Sequence, residues 1–438
     1  MHTRKIALLG FGTVGQGLWQ LLHTNKAEIR RRGGAEVEVA RILVRDLGKA
    51  RAVEAPADLF TTDYADILAT PDVEVVVEMM GGIEPANSYI RQALQNGKHV
   101  VTANKALMAS HGAELVALAT KAGVSLRYEA AVCAAIPIIN VLQSSLAAER
   151  ITWLAGILNG TSNYILSQMY NQGVSYTEAL KQAQQLGYAE ADPSFDVQGI
   201  DALHKLCILT RLAYGVDVPI DAIHCVGITD IKPEDVHYAA EHGLRIKLLA
   251  VARRVGEQLE LRVTPAMIPA EHALAKVNDA GNAVLVQGEA VGELLFTGPG
   301  AGGLPTGSDV LADVVAVLRP AGQSLKGEPV EEKPATPADL IDVGRQPANW
   351  YLRLQWAGSA NHSEQLLLAL EQQCLVGQEP SVTSTGGQGR LQMRIPGVTQ
   401  VQLERVLATT AASLRVELDH HLMRIEDLSG CCTAGPLA

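Results

Sequence analysis

Aromatic side chains are scarce in this chain, at 4% of 438 residues, so a core must be built mainly from alanine, valine, leucine and isoleucine. Cysteines are also few: the six of them show neither the CxxC pairs of a metal site nor the density of a disulfide scaffold. Reduced thiols and a cytoplasmic location are therefore expected. Long apolar runs are missing as well, and the first one, Ile6–Gly10, is too short for a signal sequence or a spanning helix.

Positively charged residues are fewer than negatively charged ones. The chain has 36 Lys and Arg residues against 47 Asp and Glu residues, a formal net charge of -11. Without a long Lys/Arg run, nucleic acid and anionic membrane surfaces are poor partners. Hydrophobic residues make up 47% and charged residues 19%, which is an ordinary globular balance. The length predicts two or three domains.

The first third of the chain alternates short Val/Ile/Leu runs with helix-like periodic segments. Apolar strands separated by helices indicate an α/β fold with a parallel, doubly wound sheet. We therefore predict a Rossmann-type cofactor domain at residues 1–135. Its predicted strands are Ile6–Leu9, Val37–Val44, Val73–Glu78, His99–Thr102 and Val124–Tyr128. Its predicted helices are Val14–Ile29, Pro85–Asn96 and Lys105–Ala122.

The middle of the chain has a different pattern, which indicates an α+β domain at residues 136–304. We expect this domain to bind the substrate, carry catalytic groups and mediate dimerisation. Its predicted helices are Thr161–Tyr170, Tyr176–Leu186 and Val197–Leu212, with Asp221–Ile231 mostly loop. Its predicted antiparallel strands are Arg245–Val255, Leu259–Met267, Ala283–Gln287 and Glu293–Thr297. A glycine-rich turn then precedes a helix at Asp309–Leu318, so residues 305–320 are expected to return to the first domain.

The last part of the chain begins with a proline-containing, acidic stretch at 319–346, which predicts a linker. A βαββαβ order follows, which predicts a small ferredoxin-like domain at 347–438. The predicted elements are strand Trp350–Gln355, helix Ser363–Gln373, strands Ser381–Ser384 and Arg390–Ile395, helix Val401–Thr410 and strand Leu414–Ile425.

A glycine fingerprint follows the first predicted strand and opens the first helix. Such glycines permit a tight turn and close approach of a pyrophosphate to a helix N-terminus. The GxGxxG spacing alone is weak, but its position between a strand and a helix predicts a dinucleotide site. The residues concerned are Gly10, Phe11, Gly12, Thr13, Val14 and Gly15.

In such folds, residues at the end of the second strand contact the adenosine ribose of the cofactor. An acidic residue there bonds a ribose 2′-hydroxyl, whereas an arginine suits a 2′-phosphate. Arg45 precedes Asp46 at this point, so both cofactors stay open, with NADP favoured over NAD.

Five segments together resemble homoserine dehydrogenase. The resemblance covers about residues 5–320, and GYAEADPSFDVQGIDALHKL at 187–206 is its most specific part. It implies reversible, NAD(P)-dependent interconversion of L-homoserine and L-aspartate 4-semialdehyde in threonine, methionine and isoleucine biosynthesis. It also implies a homo-oligomer, either a dimer or a tetramer. The other segments are LLGFGTVGQGL at the start, TANKAL at 102–107, GILNGTSNYIL at 156–166 and GPGAGGLPTGSDVLADV at 298–314.

The residues of the 187–206 segment suit this chemistry. Asp201 and Lys205 lie four residues apart, so on a helix they share one face, and the carboxylate can hold the ammonium for proton transfer. A bare pair of this kind is usually a surface ion pair, but its motif favours Lys205 as the proton donor. Glu190 and Asp201 match the family positions that bind homoserine. Asp196 is either a ligand of the substrate ammonium or a helix N-cap.

Lys105 follows a predicted strand end, at the edge of the sheet where ligands bind. In the family this lysine lies near the nicotinamide and the substrate, so Lys105 joins Lys205 and Asp201 in the predicted catalytic set. We add Thr102, Gly187 and Gly303 to the predicted cofactor site. The Asn159–Asn163 segment is expected to lie near the active cleft.

A monovalent-cation loop, for an ion such as Na⁺, is implied at 129–136. Its ligands would be the Glu129 side chain and the backbone oxygens of Val132, Ala134 and Ile136. The family usually has Gly-Gly where this chain has Ala134-Ala135. If those positions need a positive φ, alanine strains the loop.

The C-terminal pattern resembles an ACT domain, which implies a threonine effector. The Asp-x-Pro-Gly turn of such domains is replaced here by residues 356–360, WAGSA. A structural dimerisation module is the alternative.

Two other functions make different demands on the residues. A nucleotide-sensing regulator needs no proton donor, and the set of Lys105, Glu190, Asp201 and Lys205 argues against it. A semialdehyde dehydrogenase that forms an acyl-thioester needs an activated cysteine. Cys207 lies on an apolar helix face, and Cys133 has no evident base beside it.

Overall fold

The computed structural model describes residues 3–319, 336–357, 361–372, 375, 377–385, 388–414 and 416–428. The chain divides into two compact units. The first unit takes residues 3–152, 201–223, 281–319 and 336–338 of the described chain, and the second takes 153–200, 224–280 and the described residues from 339 onward. In this part of the chain, no helix is long and apolar enough to cross a membrane.

The N-terminal 150 residues alternate strands and helices, as the sequence predicts. The strands are β1 (Thr3–Leu9), β2 (Glu36–Leu43), β3 (Phe60–Thr61), β4 (Val73–Glu78), β5 (His99–Thr102) and β6 (Leu126–Arg127). The helices are α1 (Thr13–Thr24), α2 (Lys26–Gly33), α3 (Tyr64–Ala69), α4 (Ala86–Gln95), α5 (Lys105–Ala122) and α6 (Ile138–Asn140).

The middle of the chain is α+β. The strands are β7 (Ile151–Ile157), β8 (Val216–Asp217), β9 (His224–Cys225), β10 (Leu244–Val255), β11 (Gln258–Pro269), β12 (Asn282–Gly288) and β13 (Gly292–Gly298). The helices are α7 (Gly160–Gln172), α8 (Tyr176–Gln185), α9 (Ser194–Val197), α10 (Ile200–Tyr214), α11 (Pro233–Glu241) and α12 (Gly303–Leu318).

The C-terminal region contains the predicted βαββαβ order. Its elements are the short strand β14 (Thr336–Pro337) and then β15 (Ala348–Ala357), α13 (Asn361–Gln372), β16 (Gln378–Thr385), β17 (Gln388–Val398), α14 (Gln400–Leu414) and β18 (Leu418–Ile425).

The first unit is built on a six-stranded parallel sheet in the order β3-β2-β1-β4-β5-β6. This is the order of doubly wound dinucleotide-binding folds, whose ligand crevice opens at the carboxyl ends of the strands. Helix α12 packs on α1 and shares its core: Val310, Leu311 and Val314 lie with Leu18 and Leu22 in one buried cluster. The predicted α/β fold is confirmed, and the helix after the glycine-rich turn belongs to this layer.

The second unit contains a mixed sheet in the order β7-β10-β11-β18-β15-β17-β16. The four C-terminal strands pair antiparallel in the ferredoxin-like order β18-β15-β17-β16, and α13 and α14 pack over them around Leu366, Leu370, Leu403 and Leu407. Strand β18 also pairs parallel with β11, at Ala266–Arg424. The C-terminal strands therefore continue the sheet of β7, β10 and β11.

Several predicted elements differ from the structure, for local reasons. The predicted helix Val14–Ile29 is interrupted at Asn25, and the helix Val197–Leu212 is interrupted at Gly199, whose φ of +84° does not fit a helix. The last strand starts at Leu418, because α14 runs on to Leu414. Helix α11 was not predicted, although proline at its first position and acidic residues in its first turn are typical start signals.

Part of the predicted linker 319–346 lies outside the described residues. Its described end is ordered against both units: Thr336 pairs with Val216 in the first unit, and Leu259 N donates to Asp339 O in the second. The precise domain boundaries remain a prediction.

Candidate active site

Two lysines and one aspartate meet in the first unit. Asp201 and Lys205 are one turn apart on α10, and Lys205 Nζ donates to Asp201 Oδ2 at 2.8 Å. Lys105 is the first residue of α5, and its Nζ lies 2.7 Å from Asp201 Oδ1. Asp201 is 2% exposed and Lys205 is 7% exposed, whereas Lys105 is partly exposed. The structure brings together the three residues that the sequence assigns to catalysis.

The Asp201 carboxyl keeps its charge in this cluster. Burial alone would raise its pKa, but Lys205 and then Lys105 oppose that effect and hold the pKa well below its usual value. A buried carboxylate with one amine on each oxygen fixes both amines in position. Holding such a group away from water costs free energy, which is typical of sites shaped for chemistry.

A buried glutamate, which the sequence analysis missed, organises the segment before Lys105. Glu78 ends β4, and its Oε2 accepts a hydrogen bond from Thr102 Oγ1 at 2.5 Å. Thr102 Oγ1 accepts from Asn104 N at 3.0 Å, and Asn104 Oδ1 caps α5 by accepting from Leu107 N at 3.1 Å. A carboxyl group at the end of an apolar strand is the signal in the sequence that could have identified it.

The glycine turn has the geometry expected of a pyrophosphate site. Gly10 has a φ of +102°, and a Cβ on Gly15 would lie 2.6 Å from the Gly10 carbonyl oxygen, so both positions require glycine. A Cβ on Gly12 would meet nothing within 4 Å, so the backbone is open to an approaching ligand. Gly12 is the N-cap of α1 and makes no side-chain cap bond, which leaves the helix N-terminus to a phosphate.

The other predicted residues of the turn are structural neighbours of these glycines. Phe11 is buried and makes edge-to-face contacts with Trp19 and Phe60. Thr13 begins α1, Val14 follows it partly buried, and a Cβ on Gly303 would lie 2.9 Å from Thr13 O. The N-terminus of α12 is therefore packed against the start of α1, beside the glycine turn. These residues fit a dinucleotide in which the turn cradles the pyrophosphate.

The charged residues after β2 have different environments. Arg45 is exposed. Asp46 Oδ1 accepts from Gly48 N at 2.8 Å in a local turn, and Arg51 donates to Asp46 O while its guanidinium lies 4.6 Å from the centroid of the Phe60 ring. The aspartate is thus held in a turn, and the arginine at 45 faces solvent.

The second unit carries the other residues predicted to bind substrate. Asp196 lies inside α9 and accepts from Asn159 Nδ2 at 2.8 Å, and Ser162 Oγ donates to Asp196 O at 3.0 Å. The N-cap of α9 is Pro193, so the reading of Asp196 as an N-cap is wrong. Glu190 is exposed, and its backbone oxygen accepts from Gln184. Gly187 is exposed with a φ of +77°.

The predicted cation loop is dominated by hydrogen bonds within the protein. The Glu129 carboxylate accepts from Ile139 N at 2.9 Å, from Asn140 N at 2.8 Å and from the Asn140 side chain. Burial, and then the nearby Asp313, raise the pKa of Glu129 to about 8.

The backbone oxygens of this loop are engaged in part as well. Ala134 O accepts from Gly300 N at 3.1 Å, and Ile136 O accepts from Ile138 N at 2.7 Å; Val132 is buried. Ala135 has a φ of +63°, so the strain expected from alanine at this position is present, whereas Ala134 is not in a positive-φ conformation. Of the described residues, no group of three or more His, Cys, Asp or Glu is arranged to hold a metal. The cation site therefore stays a prediction.

The two cysteines considered as nucleophiles are buried thiols. Burial raises the pKa of Cys133, and it raises the pKa of Cys207 to about 12. A thiolate is the reactive form, so neither cysteine suits the acyl-thioester alternative.

Comparisons with known proteins agree with this geometry. A family model described as "Homoserine dehydrogenase, NAD binding domain" matches residues 10–129, and one described as "Homoserine dehydrogenase" matches residues 137–315. Homoserine dehydrogenase of Pseudomonas aeruginosa is 48% identical over 73% of this chain and 73% of its own length. That of Bacillus subtilis is 41% identical over 78% of this chain and 80% of its own length.

The chain belongs to the homoserine dehydrogenase family.

Solved structures extend the likeness over the C-terminal region. A homoserine dehydrogenase from Thiobacillus denitrificans is 40% identical with a TM-score of 0.89, and the match covers 98% of this chain and 99% of that one. A hyperthermophilic archaeal homoserine dehydrogenase in complex with NADPH is 26% identical with a TM-score of 0.61, over 72% of this chain and 98% of that one.

The family settles the activity. The chain is an NAD(P)-binding oxidoreductase of amino-acid biosynthesis with homoserine dehydrogenase activity (EC 1.1.1.3), which confirms the prediction from sequence. The family models end at residue 315, and the identity of the βαββαβ region as an ACT-like domain stays a prediction.

Proposed function

We propose that Lys205 is the proton donor to the aldehyde oxygen when L-aspartate 4-semialdehyde is reduced, and the proton acceptor when L-homoserine is oxidised. The nicotinamide supplies or takes the hydride when bound. As the carbonyl carbon gains hydride, its oxygen becomes an alkoxide and takes one proton from the Lys205 ammonium to form the alcohol. The observation that carries this role is the 2.8 Å contact between Lys205 Nζ and the buried Asp201 carboxylate.

Asp201 and Lys105 complete the proposed reaction centre. Asp201 holds Lys205 in a single orientation, and Lys105 places a second amine on the other carboxylate oxygen. A cationic amine near the reacting oxygen stabilises the negative charge that develops there. We further propose that Glu190, Asp196 and Asp201 bind the α-ammonium group of the substrate by carboxylate contacts.

For the cofactor, we propose a preference for NADPH over NADH. Arg45 is exposed at the end of β2, where an arginine suits a 2′-phosphate, and the Asp46 carboxylate is already bonded to Gly48 N. The Gly10–Gly15 turn would hold the pyrophosphate, and Thr102, Gly187 and Gly303 would line the rest of the cofactor site.

The assay follows absorbance at the reduced-nicotinamide band with L-aspartate 4-semialdehyde and either NADPH or NADH. We expect turnover with both and a lower KM for NADPH. Arg45→Ala should raise the KM for NADPH about tenfold, since a charge-assisted contact is worth about 1.5–3 kcal/mol, and leave the KM for NADH unchanged. Equal effects on both cofactors would remove the assignment of Arg45 to the 2′-phosphate.

We also propose a homo-oligomer, dimer or tetramer, with threonine as an effector of the C-terminal region. A polar groove of about 530 Å³ there is lined by Arg390, Glu417 and Asp419, among others, which offers both charges that an amino acid needs. Light scattering gives the oligomeric state. Titration calorimetry that detects no threonine binding at millimolar concentration would remove the effector.

A further inference from the structure

Glu78 is a fully buried carboxyl group to which the proposed chemistry assigns no role. It occupies the last position of β4, between β1 and β5 in the parallel sheet. Its register partners are Leu9, just before the glycine turn, and Thr102, three residues before Lys105. Glu78 therefore lies between the segment that leads to the pyrophosphate turn and the segment that leads to the reacting lysine.

The hydrogen bonds of Glu78 reach both sides of this crevice. Oε1 accepts from Met80 N at 2.7 Å and from Gly81 N at 3.2 Å, which fixes the turn after β4. Oε2 accepts from Thr102 Oγ1. The Thr102 oxygen also accepts from Asn104 N, and with an ionised Glu78 its single proton is donated to Oε2.

The same series of bonds continues into α5. Asn104 caps the helix through Oδ1, and its Nδ2 donates to Gly82 O at 2.6 Å, which ties the helix start to the turn after β4. Lys105 is the next residue and reaches Asp201. Hydrogen bonds thus join the Glu78 carboxylate to Asn104 and the first turn of α5, from which the Lys105 side chain extends.

The charge state of Glu78 matters to this arrangement. A deprotonated carboxylate accepts all three hydrogen bonds. A proton would make the group a donor, either on Oε1 against the Met80 and Gly81 N–H groups or on Oε2 towards Thr102 Oγ1, whose own proton must then turn away. Burial raises the pKa of this carboxyl, while the bonds from Thr102, Met80 and Gly81 oppose the shift. Protonation as the pH falls should therefore loosen the start of α5.

We propose that Glu78 is a positioning residue for Lys105, whose ionised carboxylate fixes the start of α5 through Thr102 and Asn104. The proposal rests on the role proposed above for Lys105 and adds a residue to it. An isosteric apolar or amide side chain would fill the same space but would not accept all three bonds.

The test compares Glu78→Gln, Thr102→Val and the double variant with Glu74→Gln. Glu74 lies on the same strand, partly exposed beside Arg4, so its amide variant is the matched control. We expect Glu78→Gln to lower kcat at least about tenfold, as small displacements of reacting groups do, with less than about a threefold change in the KM for semialdehyde. Thr102→Val should give a similar loss, and the double variant should add little, because the two residues act in one path.

Two measurements distinguish a loss of Lys105 positioning from a general loss of folding. The decrease of kcat at low pH that the wild type shows should be shifted or absent in Glu78→Gln and unchanged in Glu74→Gln. Amide hydrogen exchange of the cofactor-free enzyme should quicken in residues 79–82 and 103–107 of Glu78→Gln, with the rest of the first unit unchanged.

Three results would overturn the proposal: a kcat of Glu78→Gln within about twofold of wild type at every pH, losses of kcat that multiply in the double variant, or faster amide exchange across the whole first unit.

The Lys105→Ala variant distinguishes a failure of the Glu78 proposal from a failure of the proposed function. If Lys105→Ala keeps its kcat, the role of Lys105 fails and that of Glu78 with it. If it loses kcat while Glu78→Gln does not, only the Glu78 proposal fails.

Discussion

The two units bury charge in different ways. In the first, Asp201 meets Lys105 and Lys205 where α5 and α10 begin, with two amines on one carboxylate. In the second, Arg262 and Arg424 meet Glu260 and Glu426 within and just after the adjacent strands β11 and β18. Arg262 is fully buried, and Arg424 Nη1 lies 3.0 Å from Glu260 Oε1.

The difference concerns location. In the arginine–glutamate cluster two glutamates contact three arginines, because Arg253 also lies 4.0 Å from Glu260 and 3.8 Å from Glu426, and the cluster joins β18 to β11. The lysine–aspartate cluster has an excess of amine and lies beside the crevice of the sheet. Ion pairs that lie between paired strands hold those strands together, whereas amines at helix starts beside a crevice can act on a reacting oxygen. Substitutions in each cluster should therefore affect different properties.

The largest expected effect is catalytic. Lys205→Ala should lower kcat by about 10²- to 10⁴-fold, because the transition state loses its proton donor. The free energy of unfolding measured in urea should change far less, because Asp201 keeps its ion pair with Lys105. Lys181→Ala, at an exposed position of α8, is the control and should keep its kcat. A nearly full kcat in Lys205→Ala would show that another group moves the proton.

The next effect is on stability. Arg262→Met should lower the free energy of unfolding by about 3–5 kcal/mol, because Glu260 and Glu426 lose the fully buried one of the arginines that they share. The kcat of the folded fraction should be unchanged. Arg345→Met breaks the exposed pair with Asp342 and should cost about 0–1 kcal/mol. Equal urea midpoints for the two variants would contradict the distinction between buried and exposed pairs.

Lys247 is a buried basic residue whose hydrogen-bond partners are neutral. Lys247 Nζ donates to Asn163 Oδ1 at 2.9 Å and to Val277 O at 2.5 Å, and burial lowers its pKa to about 7. In the unfolded chain its pKa is near 10.5. Between these values the unfolded state binds more protons, so this group makes stability rise with pH, by up to about 1.4 kcal/mol per pH unit.

Lys247→Met removes that dependence. The stability of the wild type relative to the variant should therefore rise as the pH goes from 7 towards 10 and stay level below pH 7. Urea unfolding at each pH measures the difference. A constant difference across this range would mean that Lys247 stays charged in the folded protein.

The smallest effect tests backbone strain beside the first cluster. Ala135→Gly should raise the free energy of unfolding by about 0.5 kcal/mol, since relief of the left-handed backbone outweighs the added entropy of the unfolded chain. Ala134→Gly, at the neighbouring position without a positive φ, should lower it by about the same amount. Thermal melts of the pair should shift in opposite directions, and a shift in the same direction would contradict the strain.

Local patterns predicted much of the fold. The bounds of β4, β5 and α5 agree with the predicted Val73–Glu78, His99–Thr102 and Lys105–Ala122, because each is a clear apolar or periodic segment between turn signals. Helix breaks at Asn25 and Gly199 were missed, since hydrophobic periodicity continues across them. The pairing of β11 with β18 was also missed, because partners so far apart in the chain leave no local signal.

For the candidate site too, residues with a local signal were predictable and contacts between distant residues were not. Spacing and motif identified the lysines and Asp201, but for Glu78 the sequence pattern predicts only the end of a strand. Its role depends on what lies beside it in the sheet, namely Thr102 of the neighbouring strand.

The sequence by itself determined the glycine turn and the one-turn spacing of Asp201 and Lys205, because both depend on neighbours within a few residues. Only the tertiary structure decided that Lys105 shares the Asp201 carboxylate and that Ala135 takes a positive φ. Those features depend on how α10 packs beside the start of α5 and on how the 129–136 loop bonds to Gly300 and Asp309, contacts between distant parts of the chain that no local pattern specifies.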